Sequence, residues 1–258
     1  MLRTLYNGMS GLAAQMQRMD VTANNLANIN TTGFKRQSVN FKELLRQRLA
    51  SQGLPVLEAE ATPPTQGSGT GVSGTTRRFT QGVVTYTGRN LDLAIEGNGF
   101  FRVVREDGEV FYTRDGGFHV DENGRIVNSK GYALIEEELP ESYNRLTVDE
   151  SGRITCEDAG GKVLEIGQIE LALFPRPEGL MAVGDNLFGQ TGESGEPVVV
   201  APGEEAAGRI MQCYLENSNV DLVEEMQLLI ESQRVFQLNA KSITTADQMW
   251  NIANNLQK

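Results

Sequence analysis

The stretch LRTLYNGMSGLAAQMQRMDVTANNL, residues 2–26, decides the fold. In it Leu2, Leu5, Met9, Leu12, Met16, Met19, Ala23 and Leu26 recur at alternating intervals of three and four. That alternation lays a narrow apolar stripe along one face of a helix, the kind of seam that a partner helix covers. The spacing predicts a helix from about residue 2 to about 29, ending in Asn28, Asn30 and Gly33, residues that favour cap and turn conformations.

The other end of the chain answers it. Leu222, Met226, Leu229, Phe236, Ala240, Ile243 and Trp250 follow the same spacing, broken by polar Gln233 and Asp247. A helix is expected from a cap near Asn219 almost to Lys258. Residues 1–50 carry a net charge of +5 and residues 214–258 a net of −3, so the two helices would pair with favourable flanking charges. The remainder holds −13 of the total of −11.

Between the helices the pattern changes. Phe41, Leu44, Leu45 and Leu49 suggest a short second helix near 40–50. Residues 51–76, with Pro55, Pro63, Pro64 and then Gly67, Gly69, Gly71 and Gly74 among Ser and Thr, read as a long loop or linker. From about 79 the hydrophobic period becomes two. Strands flank the Asp107-Gly108 turn and the Asn123-Gly124 turn, and a like hairpin follows with Val148-Asp149-Glu150 and Gly152-Arg153-Ile154. More strands are expected at 163–174, 197–201 and 208–216. The reading is an α+β chain: a helical assembly segment at 1–50, a linker at 51–76, a mostly antiparallel β domain at 77–217, and a second helical assembly segment at 218–258.

Composition excludes much. The charge of −11 argues against nucleic acid and anionic membrane surfaces, and no apolar run is long enough to span a bilayer. A cleaved secretory signal is not expected, because a basic head followed by a solid apolar block is missing. The sole histidine, His119, points off the face shared by Phe118 and Val120, and no metal-ligand cluster accompanies it. Gly67-Ser68-Gly69-Thr70-Gly71 lacks the Lys-Ser/Thr end of a phosphate loop, and Asp121-Glu122-Asn123-Gly124 has its glycine misplaced for calcium. No catalytic residue, cofactor or metal site is assigned, and no enzyme activity is expected. Cys156 should face a core; whether it pairs with Cys213 stays open.

The asparagines carry more weight. Ala23-Asn24-Asn25-Leu26 is matched by Ala253-Asn254-Asn255-Leu256 at the far end. Asn is a poor helix former, so its amides are read as hydrogen-bonding across helix contacts; simple end fraying is the alternative. The candidate assembly residues are therefore Leu5, Met9, Leu12, Met16, Met19, Asn24, Asn25, Leu26, Asn28, Leu222, Met226, Leu229, Phe236, Ala240, Ile243 and Trp250.

Four separated motifs resemble the bacterial flagellar rod and hook proteins. They are Ala23-Asn24-Asn25-Leu26-Ala27-Asn28 with Gly33-Phe34-Lys35-Arg36, Asp92–Phe101 with Tyr112–Gly116, Gly184–Phe188, and Asn217–Met226 with Thr245–Met249. The resemblance covers nearly the whole chain. Its length is nearer to distal or proximal rod subunits than to hook subunits, which carry an extra β domain. The resemblance implies export through the flagellar export apparatus without a cleaved signal. It also implies stacking of copies, with adjacent rod and hook proteins, into a helical tube that spans the periplasm and transmits torque to the hook. A hook-type subunit, or a coiled-coil oligomer presenting a β binding module, is the alternative.

Overall fold

The computed structural model describes residues 2–44, 47–48, 65–135, 137–140, 143–157, 162–204 and 206–255, with the side chains of 2–4, 47, 48, 65 and 66 outside that description. The chain divides into two units: residues 1–27, 37–77 and 221–258 form one, and 28–36 with 78–220 the other.

The first unit holds two long helices, α1 (Leu2–Ala27) and α2 (Leu222–Asn255). They pack antiparallel, because Gly8 lies against Ile243, Gly11 against Asn239, Arg18 near Glu231, and Asn25 on Glu225. Helix α2 is capped by Asp221, whose Oδ1 accepts from the backbone N–H of Val223 at 2.8 Å and of Glu224 at 3.0 Å. The cap expected at Asn219 is therefore two residues early. Asn219 is used otherwise, in the second unit, where its amide donates to the carbonyls of Arg78 and Thr80 and accepts from Arg36 N–H.

The short helix expected near 40–50 is a strand over its first described residues. Gln37–Glu43 pairs antiparallel with Thr70–Arg77 from Gln37↔Arg77 to Glu43↔Thr70, with a bulge between Asn40 and Phe41. The end of the expected linker is thus the partner strand. Its β-branched Thr70, Val72, Thr75 and Thr76 suit a ladder, and the glycines between them hid that preference. Pro55, Pro63 and Pro64 lie outside the described residues.

The second unit is built of antiparallel strands. Its main sheet runs in the order Met181–Gly184, Leu187–Gly189, Val110–Thr113, Phe100–Val104, Leu171–Leu173, Val198–Val200. Adjacent Phe100 and Phe101 enter different clusters, as the alternation of a strand requires. Phe101 joins Val103, Phe111, Phe118 and Ile154 in the larger core, while Phe100 packs with Tyr112, Phe188 and Phe79. The expected hairpins form: His119–Val120 with Ile126–Val127, and Arg145–Val148 with Arg153–Glu157. Cys156 is buried, Cys213 is half-buried, and both are free thiols. His119 is exposed.

A Cβ on Gly8 would lie 2.7 Å from Ile243 Cγ1, so a side chain there must part the helices. Gly8→Leu is expected to destabilise the helix pair by about 1–3 kcal/mol. Amide exchange in α1 should quicken while the β unit keeps its protection; unchanged exchange in α1 would contradict this packing.

Candidate assembly interface

Each terminal helix offers two faces. The face of α1 turned to α2 and the Gln37–Arg77 ribbon is built from Gly8, Gly11, Gln15, Arg18, Thr22 and Asn25, all buried or half-buried. Their spacing of three, four, three, four, three is itself a heptad ladder, one position off the apolar one. Its small and polar side chains let the backbones approach closely. On α2 the facing ladder is Glu225, Leu229, Ser232, Phe236, Asn239 and Ile243.

Asn25 holds the end of this seam. It is 1% exposed; its amide donates to Gln37 O at 2.8 Å and to Glu225 Oε2 at 3.2 Å, while its carbonyl accepts from Gln37 N–H at 2.9 Å. One side chain thus ties α1 to both α2 and the ribbon. Elsewhere the seam is less well satisfied, since Gln15 Oε1 and Ser232 Oγ are buried without a hydrogen-bond partner. Such a group costs about 1–3 kcal/mol. The Arg18–Glu231 pair at 3.7 Å is long and open to solvent, so it adds little.

The residues singled out from sequence fall into two sets. Leu5, Leu12, Met19, Leu26, Leu229, Phe236, Ala240 and Ile243 are half-buried at the flanks of the seam or within it. Met9, Met16, Leu222, Met226 and Trp250 are exposed; Met9 keeps 64% of its surface in solvent and Trp250 54%. Asn24 is exposed, and Asn28 belongs to the second unit, where its Oδ1 accepts from the Thr31 hydroxyl at 3.2 Å. Sequence reasoning singled out Asn25, Leu229, Phe236 and Ile243 but missed Gly8, Gly11, Gln15, Arg18 and Thr22, because the inner side of α1 carries few apolar side chains. The available signal was Gly8 and Gly11, which cost a helix about 1 kcal/mol each and need a reason to be there.

The second unit has its own buried polar centre. Glu216 is 1% exposed and accepts from Lys35 Nζ at 2.6 Å, Arg114 at 3.3 Å and Gly82 N–H at 2.7 Å. Lys35 Nζ also donates to Thr80 O at 3.0 Å, and Arg114 to Gly97 O at 2.9 Å. The cluster joins the N-terminal loop 28–36, the strand Val110–Thr113 through the residue after it, and the strand Tyr214–Glu216. Burial pushes the Lys35 ammonium below the usual lysine range, against the pull of Glu216 and with a push from Arg114. Nearby, Asn186 donates to Thr32 O at 2.8 Å, and Thr32 to Asp115 at 2.7 Å, fastening the same loop.

Among the described residues no cluster of His, Cys, Asp or Glu is arranged to hold a metal ion, and no helix is long and apolar enough to cross a membrane. A cleft of about 230 Å³ is lined by Arg102, Val104, Glu137, Gln168 and Glu170.

Two cations on one carboxylate make Glu216 the vulnerable member. Glu216→Gln should destabilise the β unit by about 3–5 kcal/mol, because it leaves two cations buried. Lys35→Met leaves the neutral Arg114–Glu216 pair and should cost less. Thermal melts of the two variants check the order, and a reversed order would refute it.

Known proteins match the chain along its length. Residues 5–35 match the family described as flagella basal body rod protein, 94–156 the flagellar hook protein FlgE/F/G D1 domain, and 211–256 the flagellar basal body rod FlgEFG protein C-terminal region. The flagellar basal-body rod protein FlgG of Borreliella burgdorferi is 42% identical over 100% of both chains. That of Bacillus subtilis is 36% identical, again over 100% of both. The flagellar hook-basal body complex protein FlhP of Bacillus subtilis is 31% identical over 99% of this chain and 100% of its own. With full-length relatives at this identity, the chain belongs to the flagellar basal-body rod protein family.

Proposed function

We propose that this protein is a structural subunit of the bacterial flagellar rod, of the distal type, whose copies join through the outer faces of α1 and α2. Full-length similarity to rod proteins named FlgG supports the subunit role. The observation that carries the mode of joining is the apolar surface left outside the helix pair. On α1, Tyr6, Met9 and Met16 are 59%, 64% and 52% exposed; on α2, Val223, Ile230, Leu238 and Ile252 are 73%, 49%, 66% and 60% exposed. Covering one such side chain is worth about 1.5–3 kcal/mol, and a row of them at helical spacing invites another helix.

In this reading the inner ladder closes each subunit and the outer ladder closes the polymer as a coiled coil. The joining is heterologous, one surface against a different one, so it propagates into an open tube instead of a closed ring of two. The same tube would transmit torque from motor to hook, and its subunits would be delivered through the flagellar export apparatus. Adjacent rod and hook proteins would meet the same faces at its two ends. No catalysis is required of such a part.

Met9→Asp and Met16→Asp place a charge on the outer face without touching the inner seam. Each should abolish polymerisation and motility while the β unit melts unchanged. Sedimentation of purified variants and swimming of complemented cells provide the readouts. A variant that still polymerised and swam would sink the proposal, as would a parent chain that stopped at a discrete small oligomer.

A further inference from the structure

This inference rests on the reading that copies join through the outer helix faces, and names what sets their register. The outer face of α1 follows Tyr6, Met9, Ala13, Met16, Asp20 and Ala23, all exposed and spaced by three and four. Asp20 is the sole charge on that ladder. The outer face of α2 follows Val223, Gln227, Ile230, Arg234, Leu238 and Lys241, also all exposed. Arg234 borders the same surface groove as Val223, Met226 and Ile230. Thus an acid stands alone among apolar and small side chains on one helix, and on the other Arg234 stands between Ile230 and Leu238 on a face that also carries Gln227 and Lys241. The one acid beside Arg234 in that groove, Glu231, reaches toward Arg18 on α1 of its own copy. Among the described residues neither Asp20 nor Arg234 takes part in an ion pair.

We infer that Asp20 of one copy pairs with Arg234 of the next, fixing the register in which α1 of the first lies on α2 of the second. Within a copy the two helices run antiparallel, and copies repeated along an axis parallel to the helices keep that direction between neighbours. With Asp20 opposite Arg234 in antiparallel sense, a step of one turn brings Met16 against Leu238, and a step the other way brings Ala23 against the Ile230 turn. Small or apolar side chains therefore flank the ion pair on both sides and shield it from water. Lys241 offers a second register, one heptad along, but there Met16 falls opposite Thr245, which gives it less apolar surface to cover than Leu238 does. A charge pair flanked by apolar side chains selects register because alignments that leave Asp20 without a cation opposite bury its charge against hydrocarbon.

The test is charge reversal in the full-length chain. Asp20→Arg alone and Arg234→Asp alone should each lower polymer yield by about tenfold or more, since both put like charges in contact. Asp20→Arg combined with Arg234→Asp should restore it to near the parent level. Circular dichroism should show all three folding as the parent does, both sites being exposed. Singles that polymerise normally, or a double that stays defective, would overturn the pairing. Rescue of Asp20→Arg by Lys241→Asp instead would overturn the register. If Met9→Asp still blocks assembly in those cases, joining through the helix faces survives and only the pairing falls. If Met9→Asp assembles as well, both fall.

Discussion

The close antiparallel contact between α1 and α2 governs everything else about the helical unit. It is made by the small and polar side of α1, with Gly8 and Gly11 allowing the backbone in and Asn25 closing the end. A helix can turn only one side to a given partner, so spending this side on α2 leaves the methionines outside. The contact is adequate and not strong: it carries buried Gln15 and Ser232 oxygens without partners and a long, solvent-open ion pair. With the small and polar side of α1 turned inward, Met9 and Met16 are left with apolar surface that only a neighbour can cover.

The β unit follows the opposite logic. Its cores are conventional, with Phe101 and Ile154 on one side of the main sheet and Phe100 and Phe188 on the other. Its unusual feature is the Lys35–Glu216–Arg114 cluster, which collects the incoming loop and the outgoing strand around one buried carboxylate. Buried ionic clusters are poor sources of net stability, because desolvation offsets most of the attraction. What this one supplies is definition: the loop at 28–36 has a single place in which its ammonium is neutralised and its backbone bonded. The Asn186 contact to Thr32 reinforces that placement.

Much of this was legible in the residues. Alternation of three and four announced both helices, and the Asp-Gly and Asn-Gly turns announced the hairpins, because these signals depend only on near neighbours. The strand Gln37–Glu43 was not legible: Phe41 and Leu44 mimic helical spacing, and the pairing that overrules it comes from the distant strand Thr70–Arg77. The glycine-rich segment concealed that partner strand. Asn219 looked like a cap by residue type, but its side chain was already engaged by Arg36, Arg78 and Thr80, leaving the role to Asp221.

By itself the sequence determined that both ends are amphipathic helices and that the middle is mostly antiparallel β. Those are properties of local period, turn chemistry and residue inventory. Only the tertiary structure decided which face of each helix is inner and which outer. Two ladders one residue apart satisfy the same heptad arithmetic, and the choice between them rests on how closely two backbones can approach. On α1 the small Gly8 and Gly11 permit that approach, and the larger Met9 and Met16 are held outside it.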